Sequence, residues 1–318
     1  MKFATYSRGG QPRLAAVDTA RAELLDLAQA ARLLGGPDDA FESMQTLIDG
    51  GEAALDVSRH IAAAWPAGAS LPLAGAELLA PLPLPLQMRD CLVFEEHLVN
   101  ARKGWSHLTG TEWPGIPDTW YERPSWYKCN RFSVVGTGHD VQWPDYSELM
   151  DFELELACVL GKGGTNIAPG DAHGHIFGFT IFNDFSARDL QLVERPLGLG
   201  PMKSKDFDTG NVLGPWIVTL DEFSDPCSLK MEARINGERW GGGNSADMYH
   251  SFADVIAFIS RCETLHAGEI ICSGTVGTGC GLELDRFLSP GDVIELEIEG
   301  IGVLKNRIVR PDRPAEGK

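Results

Sequence analysis

Short runs of alternating apolar and polar residues, separated by Gly, Pro and Asp, dominate the chain from Phe132 onward. Alternation with a period of two is typical of strands that bury one face. The run "LKMEARINGERW" also contains Asn236 and Gly237, a pair that predicts a tight hairpin turn between two strands. Because no regular alternation of strands and long helices accompanies these runs, we expect an α+β fold rather than a parallel sheet.

The N-terminal quarter has the periodicity of helices instead. In "TARAELLDLAQAARLL", residues 19–34, apolar side chains recur at helical spacing, with Thr19 as the expected N-cap and Gly35 as the expected end. The same reasoning predicts further helices at 38–48, 51–65, 91–103 and 251–261.

A Pro/Leu-rich stretch, "LAPLPLPLQ" at 79–87, cannot be helical and is expected to be an extended connector. We place the main domain boundary there. The sequence therefore predicts a smaller, helix-containing (helical or α+β) N-terminal domain over residues 1–84 and a catalytic domain over residues 85–318.

The composition excludes several classes of partner. With 45 acidic and 27 basic residues the formal net charge is −18, which argues against binding to nucleic acid or to an anionic membrane. The sequence contains no run of 18 apolar residues, so it predicts no membrane span. The seven cysteines never occur in C-x-x-C spacing, which disfavours a disulfide framework or a thiolate zinc site and fits a reducing cytoplasm.

Two segments alternate acidic and apolar residues. In "DFELEL", 151–156, Asp151, Glu153 and Glu155 share one face of the predicted strand, and "VIELEIEG" repeats the pattern at 293–300. On spacing alone, both acidic faces are expected to lie in water. The alternative is that two carboxylates at i and i+2 chelate a hard cation together with a third carboxylate.

The segment "GFTIFNDFSARDLQ", 178–191, can supply that third carboxylate. Its first half predicts a buried strand, and polar groups follow immediately. If a helix begins there, Asp184 is the expected N-cap, and Arg188 and Gln191 lie on the same helix face. The segment is therefore either a capped helix or one wall of an active site, and the density of polar groups favours the wall.

Other polar residues are weaker candidates. Asp90 and His97 are seven residues apart and would stack two turns apart on one helix. Lys203 and Lys205 precede a Gly/Pro break, where lysines are commonly exposed. The pair His173 and His175 has no third metal ligand nearby in the sequence, which makes it a poor metal site.

Four segments, taken in order, resemble the signatures of the fumarylacetoacetate hydrolase superfamily over roughly residues 85–310. They are "DFELEL", "FNDFSARDLQ", a Lys before "DFDTGNVLGPW", and "SGTVG…GLEL". The resemblance implies a mixed β-roll catalytic domain, a homodimer, and a divalent cation (Mg²⁺, Mn²⁺ or Ca²⁺) held by carboxylates.

The resemblance also implies a role for each matching residue. The implied metal ligands are Glu153, Glu155, Asp184 and Asp90. The implied catalytic residues are His97 as general base, Glu283 as the carboxylate that orients it, and Lys205 as the oxyanion donor, with Lys203 as the alternative lysine. The implied substrate-binding residues are Arg188, Gln191, Thr275 and Tyr127.

The expected activity is metal-dependent hydrolysis of a carbon–carbon bond in a 1,3-diketo acid such as an acylpyruvate or a fumarylacetoacetate-like compound. The pair of His97 and Glu283 favours this reaction, because it can deprotonate a water molecule. The alternative on the same fold is a metal-dependent tautomerase, isomerase or decarboxylase of a 2-oxo acid, which stabilises an enolate without adding water.

Overall fold

A computed structural model of the chain, which describes residues 1–112 and 114–311, places eighteen strands in three sheets. The strands are β1 (Lys2–Arg8), β2 (Gln11–Asp18), β3 (Glu23–Asp26), β4 (Ser70–Pro72), β5 (Met88–Cys91), β6 (Trp126–Lys128), β7 (Val134–Val135), β8 (Asp140–Gln142), β9 (Met150–Asp151), β10 (Leu154–Leu160), β11 (Ile176–Asp184), β12 (Ser186–Ala187), β13 (Asn211–Thr219), β14 (Met231–Ile235), β15 (Glu238–Gly241), β16 (Ile270–Cys272), β17 (Val293–Ile298) and β18 (Gly302–Val309).

Eight α-helices are present in the same described residues. They are α1 (Leu27–Leu33), α2 (Met44–Asp49), α3 (Gly51–Ala64), α4 (Glu95–Thr109), α5 (Asp118–Glu122), α6 (Arg188–Glu194), α7 (Phe252–Ile259) and α8 (Gly281–Leu284). None of these helices has the length and apolar character that a membrane span requires.

The largest sheet runs in the order β4-β3-β2-β1-β13-β11-β10-β16-β5-β6, with β7 beside β13. It is mixed, since β10 and β11 are antiparallel while β16 and β5 are parallel. A second sheet has the order β15-β14-β17-β18-β8, and β9 pairs with β12. Strands and helices thus combine in mixed sheets, and the α+β prediction is confirmed.

Both faces of the large sheet are covered by apolar side chains. On β10, Leu154 and Leu156 belong to one hydrophobic cluster, while Ala157 and Val159 belong to the cluster that also contains residues of α1, α2 and α3. The strand at the centre of the sheet is therefore buried on both sides, and any polar side chain that it carries needs a partner inside the protein.

The predicted helix at 19–34 is wrong in its first half. Residues 23–26 form β3, which pairs with β2 and β4, and α1 begins only after Asp26, whose side chain accepts a hydrogen bond from the backbone N–H of Gln29. Leu24 and Leu25 are both fully buried, one in each cluster. Because both faces of β3 are covered, its apolar residues are consecutive and can be mistaken for part of a helical pattern.

Each of the other four predicted helical segments overlaps an α-helix. A helix over 51–65 is confirmed by α3, and the one over 251–261 by α7, which Ser251 and Asp254 cap reciprocally. The segment 38–48 divides into a short 3₁₀ turn and α2. The helix expected at 91–103 begins later, with α4 at Glu95.

The hairpin and the connector follow the sequence pattern. Asn236 and Gly237 both have positive φ, 52° and 82°, and join β14 to β15. Residues 79–87 contain neither helix nor strand. The large sheet continues from one side of this connector to the other, because β1 pairs with β13. The domain boundary near residue 84 stays a prediction.

Candidate active site

Three carboxylates meet where β5, β10 and β11 lie close together. The registers place Asp90 beside Cys272 of β16, which in turn lies beside Ala157 of β10. One oxygen from each of Asp90, Glu155 and Asp184 lies within 4.8 Å of the other two, and all three side chains are buried. We call these three residues the carboxylate cluster.

The cluster has the properties of a site for a hard cation. Among the described residues, Oδ1 of Asp90, Oε1 of Glu155 and Oδ1 of Asp184 are buried without a hydrogen-bond partner. Buried polar atoms without partners are costly, and three carboxylate oxygens suit Mg²⁺, Mn²⁺ or Ca²⁺. The residues present therefore fit a divalent cation.

Without a cation, the cluster resists ionisation. Burial, followed by the negative charge of Asp184, raises the pKa of Asp90 well above its usual value. Burial and the charges of Asp90 and Asp184 do the same to the pKa of Glu155. Because metal ligands must be deprotonated, a bound cation would take the place of these protons.

Glu153, the fourth implied ligand, lies between two positively charged side chains. Its Oε1 accepts a hydrogen bond of 2.7 Å from Arg188, and its Oε2 accepts one of 2.6 Å from Lys205. Although burial raises the pKa of Glu153, Lys205 and Arg188 lower it to about 2. Glu153 therefore stays ionised, and its role as a metal ligand remains a prediction.

Of the two candidate lysines, Lys205 lies at the cluster. Its Nζ is 2.6 Å from Oδ2 of Asp184, and the side chain is buried. Lys203 is exposed, and its Nζ donates to the backbone carbonyl of Asp206. The geometry thus favours Lys205 over Lys203 for a function in the site.

The imidazole of His97 is held by Glu283. Nδ1 of His97 lies 2.7 Å from Oε1 of Glu283, and Oε2 of the same carboxylate accepts a hydrogen bond from the backbone N–H of Thr278. When Nδ1 donates to the carboxylate, Nε2 is the ring nitrogen that can accept a proton.

A close approach of α4 to α8 makes this pair possible. A Cβ atom on Gly104 of α4 would lie only 2.1 Å from the carbonyl oxygen of Leu282, so a larger residue would separate the helices. Asp151, to which the family resemblance assigns no role, accepts hydrogen bonds from the backbone N–H groups of Gly281 and Leu282. It thereby fixes α8, which carries Glu283.

The remaining predicted residues also come together. Tyr127 donates its hydroxyl to Oδ2 of Asp184, and burial raises the pKa of Tyr127 well above its usual value. Gln191 accepts a hydrogen bond of 3.0 Å from Arg188, and Thr275 is buried.

Most of the predicted site residues line one cavity of about 430 Å³. They are Asp90, His97, Tyr127, Glu153, Glu155, Arg188, Gln191, Lys205 and Thr275. Asp184 and Glu283 lie directly behind its wall, in contact with Tyr127 and His97.

Three local expectations are wrong. Asp184 ends β11 and is not an N-cap; α6 follows Ala187, whose side chain makes no capping bond. Asp90 lies on β5, not on the helix that carries His97. The acidic face of 151–156 is buried, because Arg188, Lys205 and the backbone of the segment 274–282 lie against it.

Comparisons with known proteins identify the family of the chain. The family model described as fumarylacetoacetate (FAA) hydrolase C-terminal matches residues 90–309. The chain is 36% identical over 240 residues to the oxaloacetate tautomerase YisK of Bacillus subtilis, covering 74% of each protein. It is 34% identical over 270 residues to the human mitochondrial oxaloacetate tautomerase FAHD2A, covering 84% of this chain and 80% of the relative.

A solved structure resembles the whole described fold. The maleylpyruvate hydrolase of Sphingobium sp. SYK-6, in complex with manganese(II) and pyruvate, superposes with a TM-score of 0.74 and 25% identity. The match covers 98% of this chain and 100% of that one. The relatives are thus enzymes named as tautomerases or hydrolases. By the match of the family model and the identity to these relatives, the chain belongs to the fumarylacetoacetate hydrolase family.

Proposed function

We propose that this chain is a divalent-metal-dependent tautomerase that interconverts the keto and enol forms of a 2-oxo dicarboxylic acid such as oxaloacetate. One observation carries the proposal: Asp90 and Glu155 of the carboxylate cluster line the same cavity as His97, the imidazole that Glu283 holds. The two relatives that span most of the chain favour tautomerisation over the hydrolysis expected from sequence.

The residues that would hold the cation are Asp90, Glu155 and Asp184, with Glu153 as the predicted fourth ligand. When bound, the cation supplies a Lewis acid that favours the enolate form of a 2-oxo acid. Lys205 adds a positive charge at the wall of the cavity, where it favours the additional negative charge of the enolate over the neutral C2 carbonyl of the keto form.

His97 is the proposed proton carrier. Its Nε2 accepts a proton from C3 of the keto acid and returns it to the oxygen at C2, so that no atom is gained or lost. Glu283 holds the imidazole in the required tautomer and stabilises the imidazolium that forms when His97 carries the proton. Tautomerisation needs no water, and the same groups run the reaction in either direction.

Hydrolysis of an acylpyruvate is the second candidate. The His97–Glu283 pair is equally suited to deprotonating a water molecule, and a cavity of about 430 Å³ has room for water beside a longer acyl chain. Carbon–carbon cleavage would then yield a carboxylate and the enolate of pyruvate. A decarboxylase that releases CO₂ from oxaloacetate would share the same cation.

One experiment separates these reactions. Enol-oxaloacetate is mixed with the enzyme in Mg²⁺ or Mn²⁺, with and without chelator, and loss of the enol absorbance is followed while NMR identifies the products. We expect metal-dependent conversion to the keto acid without consumption of oxaloacetate. Accumulation of pyruvate and CO₂ would indicate a decarboxylase. If the enzyme does not accelerate ketonisation of enol-oxaloacetate but cleaves acylpyruvates stoichiometrically, the second candidate replaces the proposal.

A further inference from the structure

The two basic residues next to the carboxylate cluster, Arg188 and Lys205, already have acidic partners. Arg188 donates to Oδ2 of Asp151 and to Oε1 of Glu153, and Lys205 donates to Glu153 and Asp184. These contacts balance charge around the carboxylate cluster. If a substrate has a second carboxylate, that group would need another positively charged side chain as its partner.

Two further arginines line the same cavity, Arg102 on α4 and Arg195 after α6. Arg102 is half-buried, and its hydrogen bonds go to neutral backbone carbonyls: Nε lies 2.8 Å from the oxygen of Pro114 and Nη1 lies 3.2 Å from the oxygen of Leu98. No carboxylate of residues 1–112 or 114–311 lies within ion-pair distance of Arg102.

Arg195 lines the same cavity and lies beside Trp105. Its guanidinium carbon lies 5.5 Å from the centre of the Trp105 ring, and Trp105 also lines the cavity. Partial desolvation, together with the positive charges of Arg102 and Arg188, lowers the pKa of Arg195 to about 10. Arg195 is still charged at neutral pH, so like charges accumulate where an anion would relieve their repulsion.

Arg102 and the proposed base, His97, lie on the same helix, α4. Arg102 follows His97 by five residues, which is about 7.5 Å along the helix axis. His97, Ala101, Arg102 and Trp105 all line the cavity, so the helix presents its base and its arginine to one compartment. A short carbon chain can span this distance.

We infer that Arg102 and Arg195 form a second anion-binding subsite, which receives the far carboxylate of a dianionic 2-oxo acid. The inference rests on the proposed function and deepens it, because it names the residues that select a dicarboxylate over a monocarboxylate. Guanidinium groups bind carboxylates through charge-assisted hydrogen bonds, and two of them in one cavity favour a dianion over a monoanion.

The first arm of the test measures turnover. The rate constant kcat/KM is determined for enol-oxaloacetate, a dianion, and for enol-phenylpyruvate, a monoanion, with wild-type enzyme and with Arg102→Gln and Arg195→Gln. We expect the ratio of the two constants to fall at least tenfold in each variant, and Arg102→Lys to recover part of it. Lys103→Gln, which removes an exposed charge from the same helix, is the matched control and should keep the wild-type ratio.

The second arm measures binding without turnover. L-malate and L-lactate are both 2-hydroxy acids and differ by the far carboxylate, so each is titrated calorimetrically into the Mn²⁺-loaded enzyme. We expect wild-type enzyme to prefer malate at least tenfold and Arg102→Gln to lose that preference. Preference for malate without any turnover would remove the proposed function and keep the subsite. Turnover with no preference, or an unchanged preference in both variants, would overturn the subsite alone.

Discussion

Nδ1 of His97 lies 2.7 Å from Oε1 of Glu283, although 186 residues separate them in the chain. The contact depends on two other groups: Gly104, which lets α4 approach α8, and Asp151, which binds the N-terminal backbone of α8. The base and the carboxylate that orients it are therefore supported from both sides.

Replacing His97 should separate catalysis from metal binding. His97 is outside the carboxylate cluster, so we expect His97→Gln to lower kcat by about 10²–10⁴ while Mn²⁺ affinity stays unchanged. Stopped-flow kinetics and Mn²⁺ titration measure the two effects. His107→Gln, on the exposed side of the same helix, is the control. Loss of metal together with activity would contradict this division of roles.

The carboxylate cluster should lose its cation when one ligand loses its charge. We expect Glu155→Gln to reduce bound Mg²⁺ or Mn²⁺ to background, because a buried amide cannot replace a charged oxygen. The matched control is Glu297→Gln, which changes the same residue type in a strand of the same alternating pattern but at an exposed position. Metal content is measured by elemental analysis. Equal content in both variants would eliminate the ligand assignment.

These two strands show where sequence reasoning stops. Both "DFELEL" and "VIELEIEG" alternate acids with apolar residues, and the expectation of a solvated acidic face is correct only for the second. Glu297 is exposed, whereas Glu155 is fully buried. What distinguishes them is that Arg188, Lys205 and the segment 274–282 lie against the acidic side chains of the first strand. These groups are distant in the chain, and local alternation carries no information about them.

Local chemistry, in contrast, could be predicted where short-range contacts decide the structure. The hairpin at Asn236 and Gly237 needs positive φ at both residues, and α7 is capped by residues three positions apart. The beginning of α1 could not be predicted, because Asp26 is held by Tyr6 and Arg13 of neighbouring strands. The cluster and the His97–Glu283 pair were expected from family resemblance and not from spacing.

The two candidate lysines should differ sharply in their effect on stability. Lys205→Met removes a charged partner from the buried carboxylates of Glu153 and Asp184, so we expect a loss of about 3–5 kcal/mol in the free energy of unfolding. Lys203→Met changes an exposed side chain and should stay within about 0.5 kcal/mol. Urea denaturation in the presence of chelator measures both. A larger effect at Lys203 would reverse the assignment.

The buried carboxylate of Asp26 should make the stability of the N-terminal strands depend on pH. Asp26 accepts hydrogen bonds from Tyr6, from Arg13 and from the backbone of Gln29. Burial raises its pKa, but these donors, with Arg13 first, outweigh burial and lower the pKa below the usual value. The stabilisation is therefore present above about pH 4, the pKa of an unfolded Asp, and is lost as the pH falls through the lower folded pKa.

Asp26→Asn isolates this contribution, because Asn also caps a helix but cannot pair with Arg13 as an anion. We expect the variant to be about 1.5–3 kcal/mol less stable than wild type at pH 7 and the difference to shrink below about pH 4. Urea denaturation at several pH values measures it. Asp38→Asn, which removes a partly exposed carboxylate paired with Arg32, should change stability little at any pH. A difference at Asp26 that stayed constant down to pH 2 would show that packing, and not ionisation, is responsible.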